Sequence, residues 1–311
     1  MRLLFLVFTT ILIGTGLSFA QQTSISSGTF DVNGRRVEGA SSLVSQSPGS
    51  ADKIEMMRSV NGRSVPVESV EDKVISESGG VKVIERVVKR YDANGRPGPS
   101  ERIHIEERKN TDGSVNTATS VMRADLNGNY SLAERTVTDS QKSGDTTSSN
   151  TVVQRPTLNG SLEVVERKEL VKRETADGSV SQTSSVLRPD ANGRFGETAK
   201  QVLEKSVSGG RTVENIATYE AGAGGMQLVR QTVSKEVKGS NQKEVDVFEA
   251  ALAGRVGDSK PQLREQQIIE KTATANGAVE SISVRRPLAS DPNRLGNAQK
   301  VEEIICTGKC K

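Results

Sequence analysis

Polar and apolar positions alternate in short segments along most of the chain. Examples are ERIHIEERKN (101–110), SVNTATSVMR (114–123) and SVSQTSSVLR (179–188), which are rich in Val, Ile and Thr and contain no Pro. A period of two places successive side chains on opposite faces of a strand. The pattern therefore predicts β-strands with one modestly apolar face.

Glycine-containing turns separate these segments at a regular interval. In the first turn series the glycines are spaced by 32 or 33 residues, and a second series (SGG, DGS, SGD) falls between them, so that a turn comes about every 16 residues. Asn-Gly and Asp-Gly between strands favour hairpins with tight primed turns, because these residues tolerate a positive φ. The predicted repeat turns are Asn61-Gly62, Asn94-Gly95, Asn127-Gly128, Asn159-Gly160 and Asn192-Gly193.

These observations predict an all-β protein. We expect an antiparallel meander of about 14 to 16 long strands, made of about seven to eight hairpin repeats, as an elongated single sheet or an open spiral. Its edge strands would make self-association possible. Residues 61–311 form the predicted repeat domain, and residues 21–60 fit the repeat poorly and are predicted as a mobile or capping segment. VKVIERVVKR and LEVVERKELVKRE also suit helices, but the Ser/Thr-rich half of every unit is a poor helix former.

Charged residues keep one register in the repeat. Glu101-Arg102, Glu134-Arg135 and Glu166-Arg167 each lie six and seven positions after a turn glycine. A Ser/Thr-rich strand would separate the charged strands and reduce repulsion between equivalent carboxylates. Because neighbouring residues point to opposite faces, each face would carry a row of one sign at that level.

The phrase YDANGR (91–96), repeated as PDANGR (189–194), resembles the signature of YD repeats, also called RHS repeats. These are hairpin-forming units of secreted bacterial proteins and related cell-surface proteins. The resemblance covers little beyond the two phrases, and the period here is longer than in that family. It implies a shared hairpin, and neither an enclosing shell nor a toxin cargo.

The ends of the chain predict export. MRLLFLVFTTILIGTGLSFA has a positive start, a short apolar run and small residues before a cleavage site, so residues 1–20 are predicted to be a signal peptide rather than an uncleaved anchor. No later stretch could cross a bilayer as a helix. The only cysteines, Cys306 and Cys310, are then candidates for a local disulfide, with a metal or redox pair as the weaker alternative. We expect a secreted, periplasmic or cell-surface protein.

Composition limits the remaining possibilities. Hydrophobic residues make up 33% of the chain and aromatic residues 3%, so little apolar area is available for a large core or for membrane-spanning strands with aromatic girdles. The net charge of +3 gives no strong field to attract nucleic acid.

Candidate chemistry is sparse. His104 is the only histidine, and a solvated strand position explains it better than a catalytic triad does. AGAGG (221–225) fits a degenerate turn better than a phosphate loop, and the D-x-N-G phrases, such as Asp92 with Asn94, fit self-capped turns better than calcium sites. We therefore expect no enzyme, no cofactor and no metal.

The expected function is that of a secreted, non-enzymatic repeat protein whose long polar β surface binds or adheres to an envelope, matrix or polysaccharide component. Its partner in the envelope or outside the cell is unknown. A spacer of the cell envelope without a specific ligand is the alternative. A secreted carbohydrate-active enzyme with two carboxylates in a cleft is the third class.

Overall fold

The structure is a computed structural model that describes residues 22–31, 33–45, 52–60, 63–125, 127–222, 224–250 and 261–308. The predicted signal peptide, the Asn61-Gly62 turn and Cys310 lie outside these residues, so the predicted disulfide stays a prediction. Within the described ranges the regular structure consists of β-strands. Eighteen of them form the main sheet: β1 (Gln22–Phe30), β2 (Arg36–Ser45), β3 (Asp52–Val60), β4 (Arg63–Ser78), β5 (Val81–Tyr91), β6 (Pro97–Lys109), β7 (Val115–Ala124), β8 (Tyr130–Ser143), β9 (Thr146–Pro156), β10 (Leu162–Glu174), β11 (Val180–Pro189), β12 (Phe195–Ser208), β13 (Arg211–Gly222), β14 (Gly225–Val237), β15 (Gln242–Glu249), β16 (Gln262–Thr274), β17 (Gly277–Arg285) and β20 (Gln299–Thr307).

The main sheet confirms the all-β antiparallel meander. Every strand from β1 to β16 pairs antiparallel with the next strand in sequence. The two segments that also suited helices are the strands β5 and β10. A separate small hairpin, β18 (Pro287–Leu288) and β19 (Asp291–Leu295), interrupts the meander between β17 and β20. No helix of the described residues has the length and hydropathy of a membrane span.

The two ends of the meander pair with each other. β20 pairs with β17 on one side and with β1 on the other, and β1 also pairs with β2. Each strand of the main sheet therefore has two neighbours, and the sheet closes on itself. Closure of an antiparallel meander needs an even number of strands, which the main sheet has. These pairings give β1 and β20 a partner on both sides, and self-association stays a prediction.

Within the described ranges, residues 21–60 contain strands of the main sheet. They supply β1, β2 and β3, and β3 continues into the repeat by pairing with β4. These three strands also raise the number of strands in the sheet above the predicted 14 to 16. The sequence of this segment fits the repeat poorly, yet its backbone takes the same pairing pattern.

The strands are staggered around the sheet. Following the paired residues from strand to strand leads from Val74 in β4 to Glu166 in β10. Val74 lies near the Gly79-Gly80 turn at one end of the sheet, whereas Glu166 lies near the Gly160 turn at the opposite end. Such a drift means that the strands tilt, as closure of a sheet requires. Eighteen strands spaced about 4.8 Å apart and tilted about 40° would form a circular cylinder about 36 Å across.

The predicted repeat turns that the structure describes are three-residue loops, not the tight primed turns that Asn-Gly favours. At the predicted repeat turn of Gly95, the amide of Asp92 donates to the carbonyl of Arg96 and the amide of Gly95 donates to the carbonyl of Asp92. This is a three-residue loop that ends in a left-handed glycine, with φ of 77° at Gly95. The predicted turns at Gly128, Gly160 and Gly193 have the same hydrogen bonds. A single residue with positive φ is enough for such a loop, whereas a primed type I turn needs two.

Primed turns do occur at the other end of the sheet, where two-residue loops alternate with three-residue loops between Gly79 and Gly210. Gly79 and Gly80 connect the paired residues Ser78 and Val81, and their φ angles of 58° and 78° are those of a primed type I turn. The next loop at this end contains Gly113 and has three residues. Structurally equivalent loops therefore recur after two hairpins, as with Gly113 and Gly178, 65 residues apart. Between Gly79 and Gly210, the loop types at this end therefore recur every four strands, that is, after every second hairpin.

Buried side chains are few and lie far apart. We call the sheet face that carries Val88 face A and the opposite face, which carries Ser69, face B. The buried apolar residues on face A are Val88, Val153, Val247 and Val284, and those on face B are Ala217 and Ile268. Among the described residues no single core collects them, so stability is spread over neighbouring strands.

Candidate functional site

Face A carries a row of paired charges beside the repeat turns. Glu101 in β6 accepts hydrogen bonds from Arg90 in β5 and from Arg123 in β7, with N–O distances of 3.2 and 2.7 Å. Arg90 also contacts Glu68 in β4, at 3.2 Å. Four consecutive strands are thus linked by one chain of alternating charges.

The same pairing recurs in the next two hairpins. Arg155 in β9 donates to Glu134 in β8 through Nε and one terminal nitrogen, at 3.1 and 3.0 Å. Arg188 in β11 donates to Glu166 in β10 in the same way, at 2.9 and 2.8 Å. The members of this charge row are Glu68, Arg90, Glu101, Arg123, Glu134, Arg155, Glu166 and Arg188.

The charge row corrects the prediction of a single-sign row on each face. The glutamates were predicted, but the arginines between them were not. Each arginine lies five residues before a turn glycine, in the phrases VVKR, SVMR, VVQR and SVLR. This regular position is a signal in the sequence that could have predicted the arginines. The prediction missed them because it assigned no charge to the Ser/Thr-rich strands on which most of them lie.

Hydrogen bonds from the arginines set the ionisation of the carboxylates. Partial burial works to raise the pKa of Glu101, but the hydrogen bonds and charges of Arg123 and Arg90 outweigh it, and the pKa lies below its ordinary value. The balance is the same at Glu166, where Arg188 and Lys168 lower the pKa against the effect of burial. Both groups are therefore held as carboxylates.

Face B carries arginines at the adjacent positions without this pairing. Arg102, Arg135 and Arg167 lie opposite uncharged residues of the next strand, namely Met122, Gln154 and Leu187. The guanidinium of Arg102 lies 4.3 Å from the ring centre of Tyr130, and that of Arg167 lies 4.4 Å from that of Phe195. Aromatic rings thus take the place of carboxylates at two of the three positions.

A group of hydroxyl side chains lies on face A next to the charge row. Thr117 and Thr119 in β7 are paired with Thr138 and Thr136 in β8, and Thr138 is paired with Thr151 in β9. The hydroxyls of Thr138 and Thr151 are 2.9 Å apart. The Ser/Thr-rich strands therefore present hydroxyls to the same surface as the ion pairs.

The other sequence candidates have structural roles in the described residues. His104 is an exposed strand residue. In the D-x-N-G loop of Asp92, one carboxylate oxygen accepts hydrogen bonds from the amides of Asn94 and Arg96, as in an Asx turn. The described residues contain no group of three His, Cys, Asp or Glu side chains placed to hold a metal ion. AGAGG includes residue 223, which lies outside the described residues, and its other residues lie at the end of β13, at the start of β14 or between the two strands.

The chain was compared with known proteins. No protein-family model matches it, and no curated protein matches it in sequence. A porin-like protein from Bacteroides uniformis aligns with 7% identity over 93% of this chain and 98% of that chain, with a TM-score of 0.16. The outer membrane protease OmpT from Escherichia coli aligns with 10% identity over 93% of this chain and 92% of that chain, with a TM-score of 0.11.

Proposed function

We propose that the protein is an exported, non-enzymatic β protein of the cell envelope that binds an envelope, matrix or polysaccharide component through one polar face of its sheet. One observation carries the proposal: both faces of the same strands are charged. In β6, Glu101 lies on face A and Arg102 on face B. Since unpaired charge is costly in apolar surroundings, two charged faces favour polar surroundings on both sides.

The ionisation of the carboxylates supports a binding role over glycoside hydrolysis. A glycosidase needs a general acid whose pKa is raised, and a second carboxylate close by. Glu101 and Glu166 have lowered pKa values and are occupied by arginines. A shallow depression between β10 and β13 has one carboxylate, Glu204, among the described residues that line it.

A sedimentation assay tests the binding role. The exported form of the full chain is mixed with purified cell-wall and envelope polysaccharide fractions and centrifuged. We expect retention that is lost when the protein is unfolded beforehand. A protein that stays in the supernatant with every fraction contradicts the binding proposal and favours the spacer.

Deletion of one four-strand unit separates the two roles further. Removing residues 113–177 joins two equivalent DGS turns and takes out β7 to β10, which leaves an even number of strands that can still close. A spacer should keep its location and lose only circumference. A binding protein should lose retention, because half of the charge row is removed. Circular dichroism of the shortened chain checks that it remains a β protein.

A further inference from the structure

The arginines of the charge row recur at a constant interval along face A. Arg123, Arg155 and Arg188 lie on β7, β9 and β11, so that one strand separates each from the next. Two strand spacings are about 9.6 Å, and the stagger adds about 6.6 Å along the strands. Neighbouring arginines are therefore about 12 Å apart at their Cα atoms.

Each arginine lies above its carboxylate, toward solvent. The side chain of Arg123 is 64% exposed, whereas that of Glu101 is 13% exposed. For Arg188 and Glu166 the values are 61% and 16%. A molecule that approaches this face meets guanidinium groups first.

The carboxylates also hold the guanidinium groups in place. Arg188 and Arg155 each use Nε and one terminal nitrogen on one carboxylate oxygen, which fixes the orientation of the planar group. A group that is already ordered loses less entropy on binding. The guanidinium is suited to bind a further carboxylate, because its five donors form a rigid fork.

We propose that the charge row binds a linear acidic polysaccharide with one carboxylate in each disaccharide. The distance between carboxylates in such an extended polymer is of the same order as the distance between the arginines, and the flexible side chains take up the difference. The hydroxyls of Thr117, Thr119 and Thr138 add hydrogen-bonding groups for sugar hydroxyls on the same face. This inference rests on the proposed function and names the ligand class of that surface.

Binding should depend on the length of the polymer. Each arginine is already paired with a carboxylate, so a single contact adds little, and affinity comes from several contacts made together. An oligosaccharide that reaches three arginines should bind at least tenfold more tightly than one that reaches a single arginine. Salt should weaken the longer one more strongly.

Hyaluronan oligosaccharides of four to twelve sugars are a direct probe, because each disaccharide carries one uronate. Their affinity for the full chain is measured by isothermal titration at low and moderate salt, with neutral cello-oligosaccharides as the uncharged comparison. The test variant is R123Q/R155Q/R188Q. The matched control is R102Q/R135Q/R167Q, which removes the same charge from the same repeats on face B.

We expect the test variant to lose at least tenfold in affinity for the longest oligosaccharide, and the control variant to stay within about threefold of the unaltered protein. Equal losses in both variants overturn the proposal, since they indicate a general effect of charge. Absence of length dependence, or equal binding of the neutral sugars, also overturns it. If the test variant still sediments with envelope fractions, the proposed function stands and only the ligand class is wrong.

Discussion

Gly193 and Gly196 offer a paired test of the turn geometry. Gly193 ends a three-residue loop with φ of 76°, whereas Gly196 lies in β12 without a left-handed φ. A Cβ added at either position has no heavy atom within 4 Å. Alanine therefore meets open space at both, and only the backbone conformation differs.

The expected effects have opposite signs. A left-handed conformation costs a residue with a Cβ about 1 to 2 kcal/mol. Replacing glycine by alanine restricts the unfolded chain and stabilises the protein by about 0.4 to 1 kcal/mol where the native φ is compatible. Gly196→Ala should therefore raise the free energy of unfolding and Gly193→Ala should lower it. In the difference between the free energies of unfolding of the two variants, the contribution of the unfolded chain cancels. The remaining difference is about 1 to 2 kcal/mol.

Urea unfolding followed by far-ultraviolet circular dichroism measures this difference from the two midpoints and a common slope. Gly193→Asn is a useful third variant, because Asn tolerates the left-handed region better than Ala and should fall between the other two. Equal midpoints for Gly193→Ala and Gly196→Ala would refute the left-handed loop at Gly193. A large loss of stability in Gly196→Ala would refute the open space around it.

Three further outcomes follow from the charge row and the closed sheet. A double-mutant cycle with Glu134→Gln and Arg155→Gln should give a coupling free energy of about 0.2 to 1 kcal/mol in urea unfolding, because the pair is exposed, and a coupling near zero contradicts the pairing. Because the pKa of Glu101 is lowered in the folded protein, its stabilising contribution is present above the unfolded pKa and is lost as pH falls through the folded pKa. The free energy of unfolding should therefore change less with pH below about pH 5 in Glu101→Gln than in the unaltered protein. An unchanged pH profile contradicts this. Deletion of residues 299–311 removes β20 and leaves β1 and β17 with free edges. Light scattering should then detect association that the full chain does not show. A deletion variant that remains monomeric contradicts closure.

The local structure was largely predictable from the sequence, because it depends on residues close together in the chain. Alternating segments such as 114–123 became strands, and Gly95, Gly128, Gly160 and Gly193 became turns with a left-handed glycine. The loop type at these turns was wrong, since a three-residue and a two-residue loop both accept Asn-Gly. The regular turn spacing did not reveal whether the structural unit has two strands or four.

Long-range features were not predictable in the same way. Nothing in the sequence of β1 or β20 marks them as partners, because their alternating pattern would suit an open edge equally well. The charge row falls between these cases. Its arginines sit at a constant position before the turn glycine, and pairing Arg155 with Glu134 required only the register of the predicted hairpin. The prediction missed these arginines because it treated the Ser/Thr-rich strands as uncharged along their whole length.

Closure has a consequence for how the chain reaches its folded state. Most pairings join consecutive strands and form as soon as a hairpin exists, but the hydroxyl of Thr307 contacts the carbonyl of Ser24, 283 residues away in sequence. Contacts between such distant residues are slow to form, because the loop entropy must be lost first. β1 emerges before β20 during synthesis or export and stays without this partner until β20 arrives. Until then β1 and β17 each expose one edge of unpaired backbone, so closure of the sheet depends on the arrival of β20.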